Sequence, residues 1–365
     1  MASISNILDN YELPATLGFG KELAPVMYRA DFSDGQWQDG ELVPFGPVAI
    51  NPAATALQFA QQAFEGMKVF RIAQCSPQLF RPEMNFQRLG RSAERLCMPA
   101  PSAKLFADSL TQLSSILEAF IPGGNGQSLY LRPTLFGLDP NFAVQGSVNF
   151  TFLCLASPSD AYYSQPITVM IERENCRASI GGTGAEKVGC NYAASLQATQ
   201  QSIEAGFDQP LWLDPAERKS IEELSGMNFM AVIDGDLHTP KLNGSILPGV
   251  TRDSLMRLAT SLGVDVFRRN MPVDDLLSDI KSGRCSEAFA CGTGAIVCPI
   301  SAIGEADGSI LKLSNVDEMA NRLKLALLDI QEGRAADQFK WMVNATQSHD
   351  VLNRLTDLER DNQLV

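Results

Sequence analysis

Apolar and polar positions along the chain change period several times, and each change marks an element. Residues 81–96 (RPEMNFQRLGRSAERL) are helical in pattern, with Met84, Leu89 and Leu96 apolar and arginines between them. Residues 106–120 repeat that pattern and predict a second helix. Two β-rich runs follow, 128–137 (SLYLRPTLFG) and 147–157 (SVNFTFLCLAS), both read as sheet strands. Upstream, residues 31–48 carry the tryptophan, glycine and proline punctuation of hairpins. The polar stretch 157–166 (SPSDAYYSQP), with two prolines, is the natural linker. Beyond it, 167–174 predicts a strand, 193–205 a helix and 209–214 a strand. Asp234-Gly235 predicts a hairpin turn, 247–263 a loop entering a helix, 286–300 two strands about a glycine turn, and 319–330 a final helix. Strands and helices mix without steady βαβ alternation, which favours an α+β fold.

A chain of 365 residues exceeds what one core usually serves, so two domains are expected: 1–160, a linker over 161–170, and 171–365. The net charge of −13 argues against nucleic acid or an anionic membrane surface as partner, so an anionic ligand needs local groups to hold it. Eight cysteines without a C-x-x-C pair read as reduced thiols and a cytoplasmic protein. Two distant histidines, His238 and His349, give no metal set. The first residues read as no secretory signal, and no apolar run reaches the length of a membrane span.

The candidate chemistry begins in GGTGAEKVGCNYAAS, 181–195. It is not a phosphate loop, because Glu186 and Val188 flank Lys187 where glycine and a hydroxyl are required. A lone lysine is ordinarily a solvated surface residue. Glycines on both sides and Tyr192 behind open a second reading beside that one, an amine that forms a Schiff base with a flat carbonyl cofactor whose ring oxygen a phenol could bond. LPGVTRDSL enters its helix with Thr251 as a candidate N-cap; the amides of Val250 and Thr251 would make a small anion site, although an ordinary loop-to-helix junction accounts for the stretch by itself. Thr293, in the turn CGTGA, offers a further hydroxyl, although a plain tight turn accounts for it too. Glu222 and Glu223 are either a solvated acidic pair or the source of a carboxylate facing a pyridine nitrogen. Arg88 and Arg132, in apolar company, want a phosphate or carboxylate if they are buried.

Together with AFEGMKVF (63–70), SLYLRP (128–133), IEELSGMN (221–228), NGSILPGVTRDSL (243–255) and GTGAIVCP (292–299), these motifs stand in the order found in the branched-chain amino acid aminotransferases. The chain resembles the bacterial members of that family, pyridoxal-phosphate (PLP) enzymes of fold type IV. The resemblance implies a smaller N-terminal α/β domain, a larger C-terminal pseudo-barrel domain and a site at their interface. It implies that Lys187 carries PLP and moves the proton, and that Tyr192 bonds the phenolate oxygen. It gives Glu223, rather than Glu222, to the pyridine nitrogen. Arg88, Val250, Thr251 and Thr293 would hold the phosphate. Tyr130, Arg132 and Gly294 would lie on the substrate carboxylate side, and Phe19, Phe64 and Tyr162 would line the apolar pocket. Phe142 and Val144 would reach the partner subunit of a homodimer. The implied reaction exchanges the amino group of leucine, isoleucine and valine with 2-oxoglutarate, giving 2-oxo acids and glutamate. D-amino acid transaminases and aminodeoxychorismate lyases share the fold and remain rivals, as does a transaminase for an unusual amino acid. Departures from the family are Cys190 for glycine, Phe59 for tyrosine, Phe142 for leucine and Gly226 for the threonine of animal enzymes. Ala295 stands at the first cysteine of the animal thiol switch, leaving Cys298 alone, so no such switch is expected.

Overall fold

The computed structural model describes residues 3–73, 75–161, 165–315 and 317–361. Two compact units divide the chain, one of Met1–Tyr162, Lys187–Gly189 and Ile330–Val365, the other of Tyr163–Glu186 and Cys190–Asp329. Along the first unit run α1 (Ile4–Asp9), β1 (Val26–Ser33), β2 (Gln36–Trp37), β3 (Glu41–Pro44), α2 (Thr55–Gln58), β4 (Gln62–Phe64), β5 (Met67–Phe70), β6 (Gln78–Phe80), α3 (Pro82–Arg95), α4 (Ala103–Ile116), β7 (Ser128–Gly137) and β8 (Phe150–Ser159). Along the second run β9 (Ile167–Glu172), α5 (Gly189–Glu204), β10 (Gln209–Leu213), β11 (Ile221–Leu224), β12 (Asn228–Ile233), β13 (Asp236–Pro240), α6 (Val250–Ser261), β14 (Val266–Arg269), α7 (Val273–Ser282), β15 (Cys285–Gly292), β16 (Ile296–Gly304), β17 (Ile310–Lys312) and α8 (Glu318–Gln331). The chain then adds β18 (Met342–Asn344) and α9 (Ser348–Asp361).

The first sheet runs β18-β6-β5-β7-β8-β1-β2, with β3 on β1 and β4 on β7. Its long central pair, β7 and β8, is antiparallel over the whole of β7, from Ser128↔Ser159 to Gly137↔Phe150. Helix α3 starts with Pro82 in its first turn and Glu83 beside it, both suited to a helix N-terminus, and ends with Arg95. Its buried face is Asn85, Arg88, Leu89, Ser92 and Ala93, so one stripe of helical period carries polar groups inward.

The second sheet runs β11-β10-β9-β16-β15-β12-β13-β14, and β11 also pairs with β12. That extra pairing, through Glu223↔Asn228, closes β11, β10, β9, β16, β15 and β12 into a barrel. Small residues keep its interior narrow: Ala231, Ala288, Ala290, Cys285 and Cys298 pack among Val169, Leu211, Phe229 and Ile300. Asp234 and Gly235 both take positive φ (54° and 90°), the conformation a two-residue hairpin turn requires.

The mixed α+β architecture and the pseudo-barrel stand as expected. The differences have local causes. Residues 330–365 were expected with the C-terminal domain, but they pack in the first unit, where β18 pairs with β6 and α9 lies against α3 and α4. The helix ending near Ile330 is therefore not the last. Strand β9 begins inside the stretch 161–170 assigned to the linker. The second helix starts earlier than the apolar period suggested, because the Ser102 side chain caps it by accepting from Leu105 N–H.

Buried Glu287 on β15 caps α8 from outside the helix, accepting from Met319 N–H (2.8 Å) and Ala320 N–H (3.0 Å). Two first-turn donors are satisfied by one distant carboxylate. Glu287→Ala is expected to cost about 1–3 kcal/mol in denaturant unfolding; a loss below a few tenths of that would rule out the cap.

Candidate active site

In the first unit, α3 presents Arg88 and Ser92 one turn apart, β4 ends on Phe64, and β7 places Tyr130 and Arg132 on one face. Lys187 is fixed among them by its backbone. Its N–H donates to Ser92 Oγ (2.9 Å), its carbonyl accepts from Phe64 N–H (3.0 Å), and Val188 bridges Ala63. The Lys187 ammonium lies 4.8 Å from the centre of the Phe64 ring, and the Arg132 guanidinium lies 4.7 Å from the same ring. Both are within cation–π range. Arg132 Nη2 also donates to the Tyr130 hydroxyl (3.0 Å), and the Phe19 ring meets the Tyr130 ring edge-on at 5.1 Å. The structure thus brings Phe19, Phe64, Tyr130, Arg132 and Lys187 together. Gly66 is part of that packing, since a Cβ there would fall 1.9 Å from the Tyr130 hydroxyl oxygen.

Arg88 has a partner the sequence did not reveal. Its Nε and Nη2 bond the two oxygens of fully buried Glu65 at 2.7 and 2.8 Å. Asn85 Nδ2 donates to the same carboxylate at 2.7 Å. Burial alone would raise the Glu65 pKa, but Arg88, the Lys187 charge and Asn85 outweigh it and hold the carboxyl below its ordinary range. The available signal was an acidic residue between Phe64 and Gly66 in an otherwise apolar run.

In the second unit, Glu222 and Glu223 are 2% and 3% exposed, so they are not a solvated pair. Being adjacent on β11, they point to opposite faces. Glu223 pairs with Arg177 Nη2 (2.6 Å) and accepts from Asn228 Nδ2 (2.8 Å) and Leu247 N–H (3.1 Å). Sequence reasoning gave no role to Arg177, 46 residues before Glu223, or to Asn228, which stands in the same motif five residues after it. Gly249 leaves room for this arrangement, because a Cβ there would stand 2.0 Å from Asn228 Oδ1. Gly249 is also the N-cap of α6, which corrects the assignment to Thr251. Val250 and Thr251 occupy the first helical positions, and no side chain caps the helix, so its first amides keep their positive end. Tyr192 lies in the first turn of α5, its ring 4.0 Å from where a Gly226 Cβ would be. The loop before Lys187 is tied to that helix by Thr183 Oγ1 donating to Asn191 Oδ1 and by Asn191 Nδ2 donating to the carbonyls of Thr183 (2.7 Å) and Glu186 (2.8 Å). Thr293 and Gly294 form the half-buried turn between β15 and β16.

Phe142 and Val144 are 80% and 94% exposed. Their loop is pinned at its base by Asp139, which accepts from Ser147 Oγ, Val148 N–H and Asn149, holding its carboxyl down to about 2 against the upward pull of burial. Tyr162 lies outside the described residues. Cys298 is buried in the barrel, and burial pushes its thiol up to about 12.

Residues 62–303 match the family profile described as amino-transferase class IV. A branched-chain-amino-acid aminotransferase of Mycolicibacterium smegmatis is 41% identical over 90% of this chain and 92% of its own. The solved branched-chain amino acid aminotransferase of Escherichia coli superposes with a TM-score of 0.71 at 25% identity, covering 88% of this chain and 99% of its own. A Thermobaculum terrenum enzyme of the same description, solved in its PLP-form, gives 0.72 at 19% identity over 90% of this chain and 100% of its own, a likeness of fold alone.

Two outcomes follow. Glu65 titrates below its ordinary value when folded, so its stabilisation is complete above that value and lost as pH falls through and beneath it. Glu65→Gln should flatten this acid limb of stability against pH and lower stability by about 3–5 kcal/mol at neutral pH, because Arg88 stays buried without its counter-charge; an unchanged acid limb would contradict this. Cys298 should resist alkylation near pH 8 while exposed Cys75, Cys97 and Cys176 react, as mass mapping of the folded protein would reveal. Labelling of Cys298 at the rate of Cys176 would contradict its burial in the barrel.

Proposed function

The chain belongs to the class IV amino-transferases, and we propose that it exchanges the amino group of L-leucine, L-isoleucine and L-valine with 2-oxoglutarate, giving branched-chain 2-oxo acids and L-glutamate in a reversible ping-pong cycle. One structural observation carries this: Lys187 is held by its backbone, with its ammonium over the Phe64 ring beside Arg132 and Tyr130. A surface lysine has no such clamp.

The residues fit PLP. An uncapped helix start at Val250 suits a phosphate, and a buried carboxylate, Glu223, suits a protonated pyridine nitrogen. When bound through Lys187, PLP supplies an electrophilic carbon and a ring that accepts electrons as the substrate Cα loses its proton. The chain does the rest. The Lys187 amine would take the proton from the substrate Cα as general base and give it up again as general acid. Glu223 keeps the pyridine nitrogen protonated, and Arg177 and Asn228 keep Glu223 ionised and in place. Tyr192 bonds the ring oxygen. The first amides of α6 at Val250 and Thr251, the Thr293 hydroxyl and the Arg88 charge hold the phosphate, Arg88 sharing itself with Glu65. Tyr130, Arg132 and Gly294 receive the substrate carboxylate, and Phe19, Phe64 and Tyr162 the apolar side chain. One methylene in such a pocket is worth about 1–3 kcal/mol, so all three branched substrates react.

Phe142 and Val144, exposed on a loop stapled at Asp139, support a homodimer in which that loop reaches the partner's site. Eight free cysteines support a reducing compartment, the cytoplasm. No helix among the described residues is long and apolar enough to cross a membrane.

Lys187→Ala should lower the rate of glutamate formation from L-leucine and 2-oxoglutarate by at least about 10³-fold, the scale of a lost acid–base group. Turnover at the wild-type rate would remove Lys187 from the chemistry, and preference for D-alanine over L-leucine would replace the reaction with that of the D-specific relatives.

A further inference from the structure

Strand β11 presents Glu223 to one side and Glu222 to the other. On the Glu222 side the second unit holds a cavity of about 500 Å³, within the size range of small-molecule sites. Its walls include Ile221, Glu222, Lys241, Leu242, Ile246 and Arg269. The Glu222 carboxylate is only half satisfied. Its Oε1 accepts from Asn243 Nδ2 (2.9 Å) and from Ser245 Oγ, while its Oε2, buried, has no hydrogen-bond partner among the described residues. A buried carboxylate oxygen left this way is costly unless something donates to it. Lys241 stands exposed at the cavity's edge, and Arg269 is anchored by its Nε to His238 Nδ1 (2.9 Å). The lining therefore offers a buried anion and cations, with Ile221, Leu242 and Ile246 supplying apolar surface.

We propose that this cavity is a second ligand site, taking a small zwitterion of the α-amino-acid class with its ammonium on Glu222 Oε2, its carboxylate on Lys241 and its side chain against Ile221, Leu242 and Ile246. The lining holds two more carboxylates, but Asp214 is taken up by the backbone N–H groups of Ala216, Glu217, Lys219 and Ser220, and Glu217 pairs with Lys219 (3.1 Å). A bare inorganic cation would therefore draw on Glu222 and leave the apolar surface without purpose. The site is wired to Glu223. Ser245 donates its hydroxyl to Glu222, its carbonyl accepts from Arg177 Nη2, and that same nitrogen pairs with Glu223 (2.6 Å). An occupant that pulls on Glu222 shifts Ser245 and Arg177, and so changes how Glu223 is held. This last step rests on the role proposed for Glu223 at the pyridine nitrogen; the binding itself does not.

The test is calorimetric titration of the holoenzyme with 2-aminoisobutyrate, an α-amino acid that has no α-hydrogen to lose. Wild type should take up one molecule per chain that Lys187→Ala retains and that Glu222→Gln weakens by roughly tenfold or more, the scale of one charge-assisted hydrogen bond. Lys241→Ala should weaken 2-aminoisobutyrate while leaving tert-butylamine, which lacks the carboxylate, unchanged. Uptake that vanishes in Lys187→Ala and persists in Glu222→Gln would place the probe in the active site and overturn the proposal, as would no uptake by wild type. Should Glu222→Gln not fold, unchanged affinity in Lys241→Ala overturns it alone. A wild-type protein without a visible cofactor band would undo the function proposed above and leave the titration to be judged by the same criteria.

Discussion

The chemistry of the first unit depends on one short clamp. Lys187, Val188 and Gly189 count with that unit although the chain on both sides belongs to the other. The clamp consists of backbone bonds from Lys187 to Ser92 and Phe64 and a bridge from Val188 to Ala63. Such bonds fix a Cα far better than contacts of a long side chain, whose rotamer freedom amounts to about 2 kcal/mol. Gly189 is required by this closeness, since a Cβ there would come 2.4 Å from Gln62 Oε1. The amine is then confined by an aromatic face and by neighbouring charge. Glu65 and Arg88 answer each other inside the same unit, which leaves Lys187 and Arg132 as the half-buried positive charges beside Phe64.

The second unit solves a different problem, seating a buried carboxylate and its arginine partner within a closed sheet. A single residue pairing, Glu223 with Asn228, closes the barrel, and the same two side chains bond each other. Closure and the Glu223 carboxylate share one position, so the strand cannot slip register without moving the carboxylate. Alternation along β11 then obliges Glu222 to face the other way, where it is stabilised incompletely. A strand that positions one acid necessarily places its neighbour somewhere, and here that place is a cavity.

Much of the fold could be read from sequence where local rules decide. The run SLYLRPTLFG is strand β7 end to end, and Asp234-Gly235 turns where its dipeptide says it must. Helix α3 follows from its period and Pro82. What could not be read is set by distant contacts. Three-residue β18 has no pattern of its own and exists because β6 offers it an edge. The N-cap of α6 fell to Gly249 rather than Thr251 because Asn228 crowds that corner. The motifs pointed to Lys187, Tyr130, Arg132 and Glu223, while Glu65 and Arg177 carry no spacing signal because their partners are far away in sequence, and Asn228, only five residues from Glu223, meets it through the pairing of β11 with β12.

The central claim is that Lys187 holds PLP for exchange of an L-amino group, and visible absorption of the purified protein tests it most directly. The account predicts a band from lysine-bound PLP that converts to the pyridoxamine phosphate form on addition of L-leucine alone and returns with 2-oxoglutarate. A protein that shows no such band even after PLP is supplied, or a band that ignores L-leucine and responds to D-alanine, would contradict it.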